Sequence, residues 1–367
     1  MSDSNSLAER MRRLSWLSIE TPARAAGFLS VMAILTILGL RFEFGNSWNL
    51  YAAGGQIAKT GYPLLLEAAG RAYQKTGGEL VVFVGGSTVV ELTPDDTLLS
   101  NELTSRCGRD IHFVNLGSSN QTFSESWDIA AMAPTSRRRL FLVGINRYRL
   151  SFDDGDIISE QSHNPTGIPD SFSLWWSIAR NTGHVGSLER MVASVARQIS
   201  LGAKWRPLNF LVSQPAVARP PSEDPFQPDR AFYREPVMTR SEKLREVNEY
   251  IATRALDFHD RFRAGVKWFQ RFFDHFQGPD SDVRFVITPT DETFRKVDKL
   301  MSDDMREAVK LLGAGNGVLD LRTPNTDLES GDFFDIQHLI AKGRAKLQPV
   351  FVAEVSHALG CMPGASR

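Results

Sequence analysis

The sequence predicts an α/β fold, a doubly wound parallel sheet with helices on both faces. Three observations lead there. Short apolar runs of four to six residues recur along the chain, stretches with helical periodicity separate them, and each of the first three runs ends in glycine. A strand buried on both faces is apolar throughout, and a parallel neighbour needs a crossover, usually a helix.

The runs fall at 80–84, 111–116, 140–143, 283–287 and 318–321. Helices are expected at 96–107, 122–134, 241–276 and 293–312, with a last one running to about 358. About five parallel strands with these crossovers make a flavodoxin-like three-layer α/β/α sandwich over residues 79–360. An insertion of about 151–240 interrupts it between strands three and four. That stretch is rich in Pro, Ser, Trp and Asp, with one helix expected near 185–200, and its six prolines from Pro215 to Pro236 mark loop. Trp175 and Trp176 are expected to anchor the insertion, with stacking on a sugar ring as the alternative. The stripe Trp268, Phe269, Phe272, Phe273 and Phe276 on helix 241–276 reads as core or interface surface, not as a ligand box.

The N-terminus sets the expected compartment. An uncharged apolar run from Ala25 to Leu40 lies between Arg24 and Arg41. It is slightly short for a spanning helix of about 20 residues, and the flanking arginines can snorkel. Trp16 and Trp48 are spaced as interface anchors, and Arg10, Arg12, Arg13 and Arg24 precede the run. The positive-inside rule then gives a cytoplasmic tail (1–24), a transmembrane anchor (25–41), a linker with a helical stretch (42–78) and a periplasmic or extracellular domain. A signal peptide cleaved near Ala52-Ala53-Gly54 is the alternative, and a buried helix is the third option.

The chain has 367 residues and a formal net charge of −1, which gives no electrostatic footprint for nucleic acid. The seven histidines are scattered and the two cysteines have no metal-site spacing, so no metal or cofactor is expected.

Ligands and chemistry gather at the carboxyl ends of strands in such sheets. The first strand delivers Ser87, the second Gly117 and the third Asn146; a loop after the fifth carries Asp335 and His338. A serine hydroxyl needs an adjacent base to become nucleophilic, and a histidine can take its proton if an acceptor holds the other ring nitrogen. His338 and Asp335 suit those roles. An oxyanion needs preorganised donors; the amides of Ser87 and Gly117 and the side chain of Asn146 are candidates. Arg147 and Arg149, beside the site, are candidates for an anionic substrate or for solvated loop.

Gly-Gly-Ser, then Asn-Leu-Gly, then Gly-x-Asn, then Asp-x-x-His, in that order, resembles the four blocks of SGNH (GDSL-type) hydrolases. The resemblance implies Ser87 as nucleophile, Asp335 and His338 as its partners, and Gly117 and Asn146 as oxyanion donors. It covers roughly 79–150 and 280–360. Gly86 stands where the family usually has Asp, and Arg147 stands where an Asp commonly follows the block-three Asn. Membrane-anchored members of similar layout move acyl groups on envelope polysaccharides, as in alginate acetylation or teichoic-acid alanylation.

The expected function is therefore a serine esterase or O-acyltransferase on acyl, foremost acetyl, groups of an envelope carbohydrate, working with other envelope-assembly proteins. A lipid or small-ester hydrolase is one alternative, and an inactive scaffold of an envelope complex is another. Cys107 and Cys361 each end a helix on the same expected face, so a disulfide and two buried thiols both remain open.

Overall fold

A computed structural model describes residues 77–93, 95–118, 121–162, 171–183, 237–313, 317–322 and 326–361, with residues 27, 30 and 73. The chain divides into two units, Met1–Gly54 and Gly55–Arg367, and the architecture below belongs to the second. Apart from residues 27 and 30, both helical, the expected tail and anchor lie outside the described residues, as does nearly all of the linker. Among the described residues no helix is long and apolar enough to cross a membrane.

Five strands form one parallel sheet: β1 (Glu79–Val84), β2 (Ile111–Asn115), β3 (Arg139–Ile145), β4 (Ser281–Ile287) and β5 (Val318–Asp320). Their order is β2-β1-β3-β4-β5. The chain leaves β1 for β2 on one side and returns to β3 on the other, so the direction of winding switches between β1 and β3.

Successive side chains of a strand point to opposite faces. Val81 and Phe83 pack with α2 (Asp96–Cys107) and α10 (Ala341–Ala358). Leu80, Val82 and Val84 pack with α3 (Phe123–Ala131), α7 (Leu256–Phe276) and α9 (Ser302–Gly313) on the other face. The remaining helices are a short turn α1 (Ser87–Val90), α4 (Asp154–Ser162), α5 (Phe172–Thr182), α6 (Arg240–Tyr250) and α8 (Arg295–Leu300). Local signals fix the helix starts. Thr122 with Glu125, and Thr239 with Glu242, form capping boxes for α3 and α6.

Three expectations change. The single helix 241–276 is two helices joined by a π-turn, Ile251–Ala255. Tyr250 and Phe258 are both buried. At about 100° per residue, their separation would leave them about 80° out of phase in a straight α-helix. The π-turn absorbs one residue and brings both onto the core face. The helix expected at 293–312 breaks at Met301, and α9 restarts at Ser302 with Asp303 and Asp304 in its first turn, where carboxylates favour a helix N-terminus.

The third change is in the insertion. Its described parts, α4 and α5, belong to the main core through Ile157, Leu174 and Ile178. Trp268 Nε1 donates to Asp154 Oδ1 (2.8 Å), and Trp127 Nε1 donates to Ser173 Oγ (3.0 Å). Trp176 is 55% exposed, so Leu174 and Ile178, not Trp176, anchor this segment. The helix expected near 185–200 and the proline-rich loop lie outside the described residues. Of the aromatic stripe, Trp268, Phe269, Phe272 and Phe276 are buried around Phe123 and Trp127.

Cys107, the last residue of α2, and Cys361, just past α10, are joined by a disulfide with Cα atoms 4.9 Å apart.

Candidate active site

The β1–β3 switch point is where a doubly wound sheet opens a crevice. Ser87 begins α1 immediately after β1, and Asn146 follows β3. Val89, one residue past Thr88 in α1, is what lets this turn sit down on the sheet. A Cβ at Gly85 or Gly144 would overlap Val89 Cγ2, and one at Gly117 would lie 2.8 Å from Val89 Cγ1. The glycines at the three strand ends thus form the niche that seats the Ser87 turn. Gly86 differs: its φ is −71°, and an added Cβ would meet nothing within 4 Å. Asn115 locks the seat, with Nδ2 donating to Val89 O (2.8 Å) and Thr93 Oγ1 (2.7 Å).

Ser87 Oγ lies 2.8 Å from His338 Nε2, and His338 Nδ1 lies 2.6 Å from Asp335 Oδ2. The other carboxylate oxygen, Asp335 Oδ1, accepts from the backbone N–H groups of Gln337 and His338, both at 2.8 Å. Asp335 and His338 are both buried. Burial alone pushes the Asp335 carboxyl up. The His338 ring, its charge and the two amides outweigh that and hold it below the usual carboxylate range. The acceptor that orients the imidazole therefore stays ionised.

Asn146 Oδ1 accepts from the Arg149 N–H (3.0 Å). That bond assigns the amide orientation and leaves the Nδ2 donors for a ligand at the strand end. The Ser87 N–H opens a helical turn, and such amides have no intrahelical acceptor. Gly117 departs from expectation: its N–H donates to Asn115 Oδ1 (2.9 Å), closing a local turn. Among the described residues two of the three candidate oxyanion donors stand open, and the third is engaged.

Arg149 is not a substrate-facing cation. It is 8% exposed, and its guanidinium donates to the carbonyls of Gly144, Gln121 and Thr122 and to Ser126 Oγ. It ties the loop after β2 to the end of β3, so the expected substrate contact is corrected to a structural strut. The Arg147 side chain lies outside the described residues.

Nothing in the sequence marks out Lys243, a lysine in a charged helix. Its side chain is 1% exposed. Lys243 Nζ donates to Asp291 Oδ2 (2.8 Å), Ser330 O (2.6 Å) and Phe333 O (3.0 Å). Asp291 also accepts from Thr293 N–H, Thr293 Oγ1 and Ser330 Oγ, and its own N–H donates to Ile336 O. This buried node ties α6 and the end of β4 to the Asp335–His338 loop. The loop is closed further by Phe334 N–H donating to His338 O (2.7 Å).

Among the described residues no group of three or more His, Cys, Asp or Glu is placed to hold a metal ion. Neither protein-family models nor curated proteins match the chain.

Proposed function

We propose that the chain is an SGNH-type serine esterase or O-acyltransferase, anchored in the membrane, that acts outside the cytoplasm on acyl groups of an envelope carbohydrate. The observation that carries this is the continuous Ser87–His338–Asp335 relay, 2.8 Å and 2.6 Å per link, at the switch point of the sheet. The flavodoxin-like strand order and the place of each block at a strand end support the same family resemblance.

In this mechanism Ser87 Oγ attacks the ester carbonyl carbon and His338 Nε2 takes the hydroxyl proton. The charge on the tetrahedral oxygen meets the Ser87 N–H and the Asn146 amide. The C–O bond to the leaving alcohol breaks as His338 returns the proton to it, and Ser87 is left acylated. Water, or a sugar hydroxyl, then gives its proton to His338 as its oxygen attacks the acyl carbon; the bond from that carbon to Ser87 Oγ breaks, and His338 returns the proton to Ser87 Oγ. Asp335 keeps Nδ1 protonated throughout.

An inactive scaffold of an envelope complex is the competing function, and the engaged Gly117 amide is the observation on its side. A fluorophosphonate probe separates the two. The full chain in detergent is expected to be labelled on Ser87, with labelling lost in Ser87→Ala. A folded wild type that takes no label, and does not hydrolyse p-nitrophenyl acetate, overturns the enzyme proposal.

A further inference from the structure

α6 lies along the Asp335–His338 loop. Met238 N–H, just before the helix, donates to Phe334 O (2.9 Å), and Lys243 reaches Ser330 and Phe333. Residues three apart on a helix share a face, so Glu246 follows Lys243 onto the side that meets the loop. Glu246 Oε2 is buried and has no hydrogen-bond partner among the described residues. Among the described residues that oxygen makes no bond that would hold the fold together.

The groups that act on Glu246 are specific. Across the interface are Asp335, which opposes its charge, and His338, which favours it. On its own helix Glu249 opposes and Lys243 favours. Asp291, from the end of β4, is already paired with Lys243. Burial first, then Asp335, pushes the Glu246 carboxyl up to about 7. Its charge therefore changes in the range where a serine hydrolase works.

We infer that Glu246 is a positioning residue of the triad, a second carboxylate that acts through space on His338 and stabilises the imidazolium formed as Ser87 attacks. Glu246 touches neither substrate nor Ser87 in this role. With Glu246 ionised, the imidazolium that forms as Ser87 attacks faces a second negative charge, and the charged intermediate is favoured. With Glu246 protonated, that help is withdrawn, so proton uptake at one carboxyl slows acylation.

The test, which rests on the serine-acylation proposal above, compares the full chain with Glu246→Gln and with Glu249→Gln, a control on the exposed side of the same helix. The rate of Ser87 labelling by a fluorophosphonate is followed against pH. Glu246→Gln is expected to lower the upper plateau about tenfold, the equivalent of one pKa unit, and to move the ascending limb to lower pH. Glu249→Gln, which removes only a charge that opposes Glu246, should keep the wild-type upper plateau. A ring-carbon NMR titration of His338, assigned with His338→Asn, reads the same coupling without any need for activity, and its midpoint should fall in Glu246→Gln. Labelled protein with coincident wild-type and Glu246→Gln profiles overturns the role of Glu246 and leaves the enzyme proposal standing. Unlabelled protein whose His338 midpoint still falls supports the coupling and overturns the enzyme proposal instead. Coincident His338 titrations overturn the coupling in either case.

Discussion

Replacing Lys243 by methionine removes a buried charge while keeping most of the side chain's length and apolar stem. Breaking a buried ion pair from one side costs about 3–5 kcal/mol, because the remaining charge stays buried without its partner. Asp291 keeps the two Thr293 donors and Ser330 Oγ, so the lower end, about 3 kcal/mol, is expected. The carbonyls of Ser330 and Phe333 also lose a donor. The melting temperature should fall by roughly 5–10 °C near pH 7.

The pH dependence gives the sharper check. In the wild type, burial raises the Asp291 carboxyl, but its bonds to Lys243, Ser330 and Thr293 hold it below the usual range. A depressed carboxyl stabilises the fold fully above its unfolded pKa, and that stabilisation is lost as pH falls through the folded value. In Lys243→Met the largest opposing bond is gone while burial remains, so the carboxyl rises and its contribution is lost as pH increases. The stability gap between wild type and variant should therefore be widest near neutrality and narrow toward pH 4. Urea unfolding followed by tryptophan fluorescence measures it at each pH. The double variant Lys243→Met/Asp291→Leu should regain much of the loss, since an apolar pair can replace a buried ionic one. Equal stability of Lys243→Met and wild type at pH 7, or a gap that widens on acidification, would refute the node as a staple.

Asn146→Ala should lower kcat for p-nitrophenyl acetate by about 10²–10³ with little change in melting temperature; an unchanged kcat would remove Asn146 from the oxyanion site. Gly144→Ala should destabilise the Ser87 turn and depress labelling, whereas Gly86→Ala should fold and label like wild type, because only the first meets Val89; equal behaviour of the two would contradict the niche. Cys107→Ser should lower stability by about 2–5 kcal/mol, since the bond closes a long loop. An urea midpoint matching that of the oxidised wild type would count against it.

The sheet was legible because a strand covered on both faces announces itself as an unbroken apolar run, and because the strand ends carry glycines that Val89 requires. The same alternation places Ser87, Asn146, Asp335 and His338 on one rim from the sequence alone. What the sequence hid depends on depth and phase. Lys243 and Glu246 look like ordinary members of a charged helix, and only the contact of α6 with the Asp335–His338 loop buries Lys243 and covers one carboxylate oxygen of Glu246. The π-turn was concealed because the stripe from Val247 to Phe276 is helical on either side, and only the Tyr250–Phe258 spacing betrays a phase shift. Arg149 was misplaced because adjacency to the site says nothing about which way a side chain turns. α4 and α5 were missed because their few apolar anchors sit among Ser, Asp and Trp.

The Cys107–Cys361 bond also gives the molecule a tolerance to cutting. Every residue from 108 to 360 lies inside one covalent ring, and the entire stretch of about 151–240 falls within it. A single cleavage there leaves two polypeptides that migrate as one until they are reduced. Ser87 would then be on one piece and His338 on the other, still tethered through α2 and α10. A protease that nicks this protein once opens the ring without releasing either half of the Ser87–His338 pair.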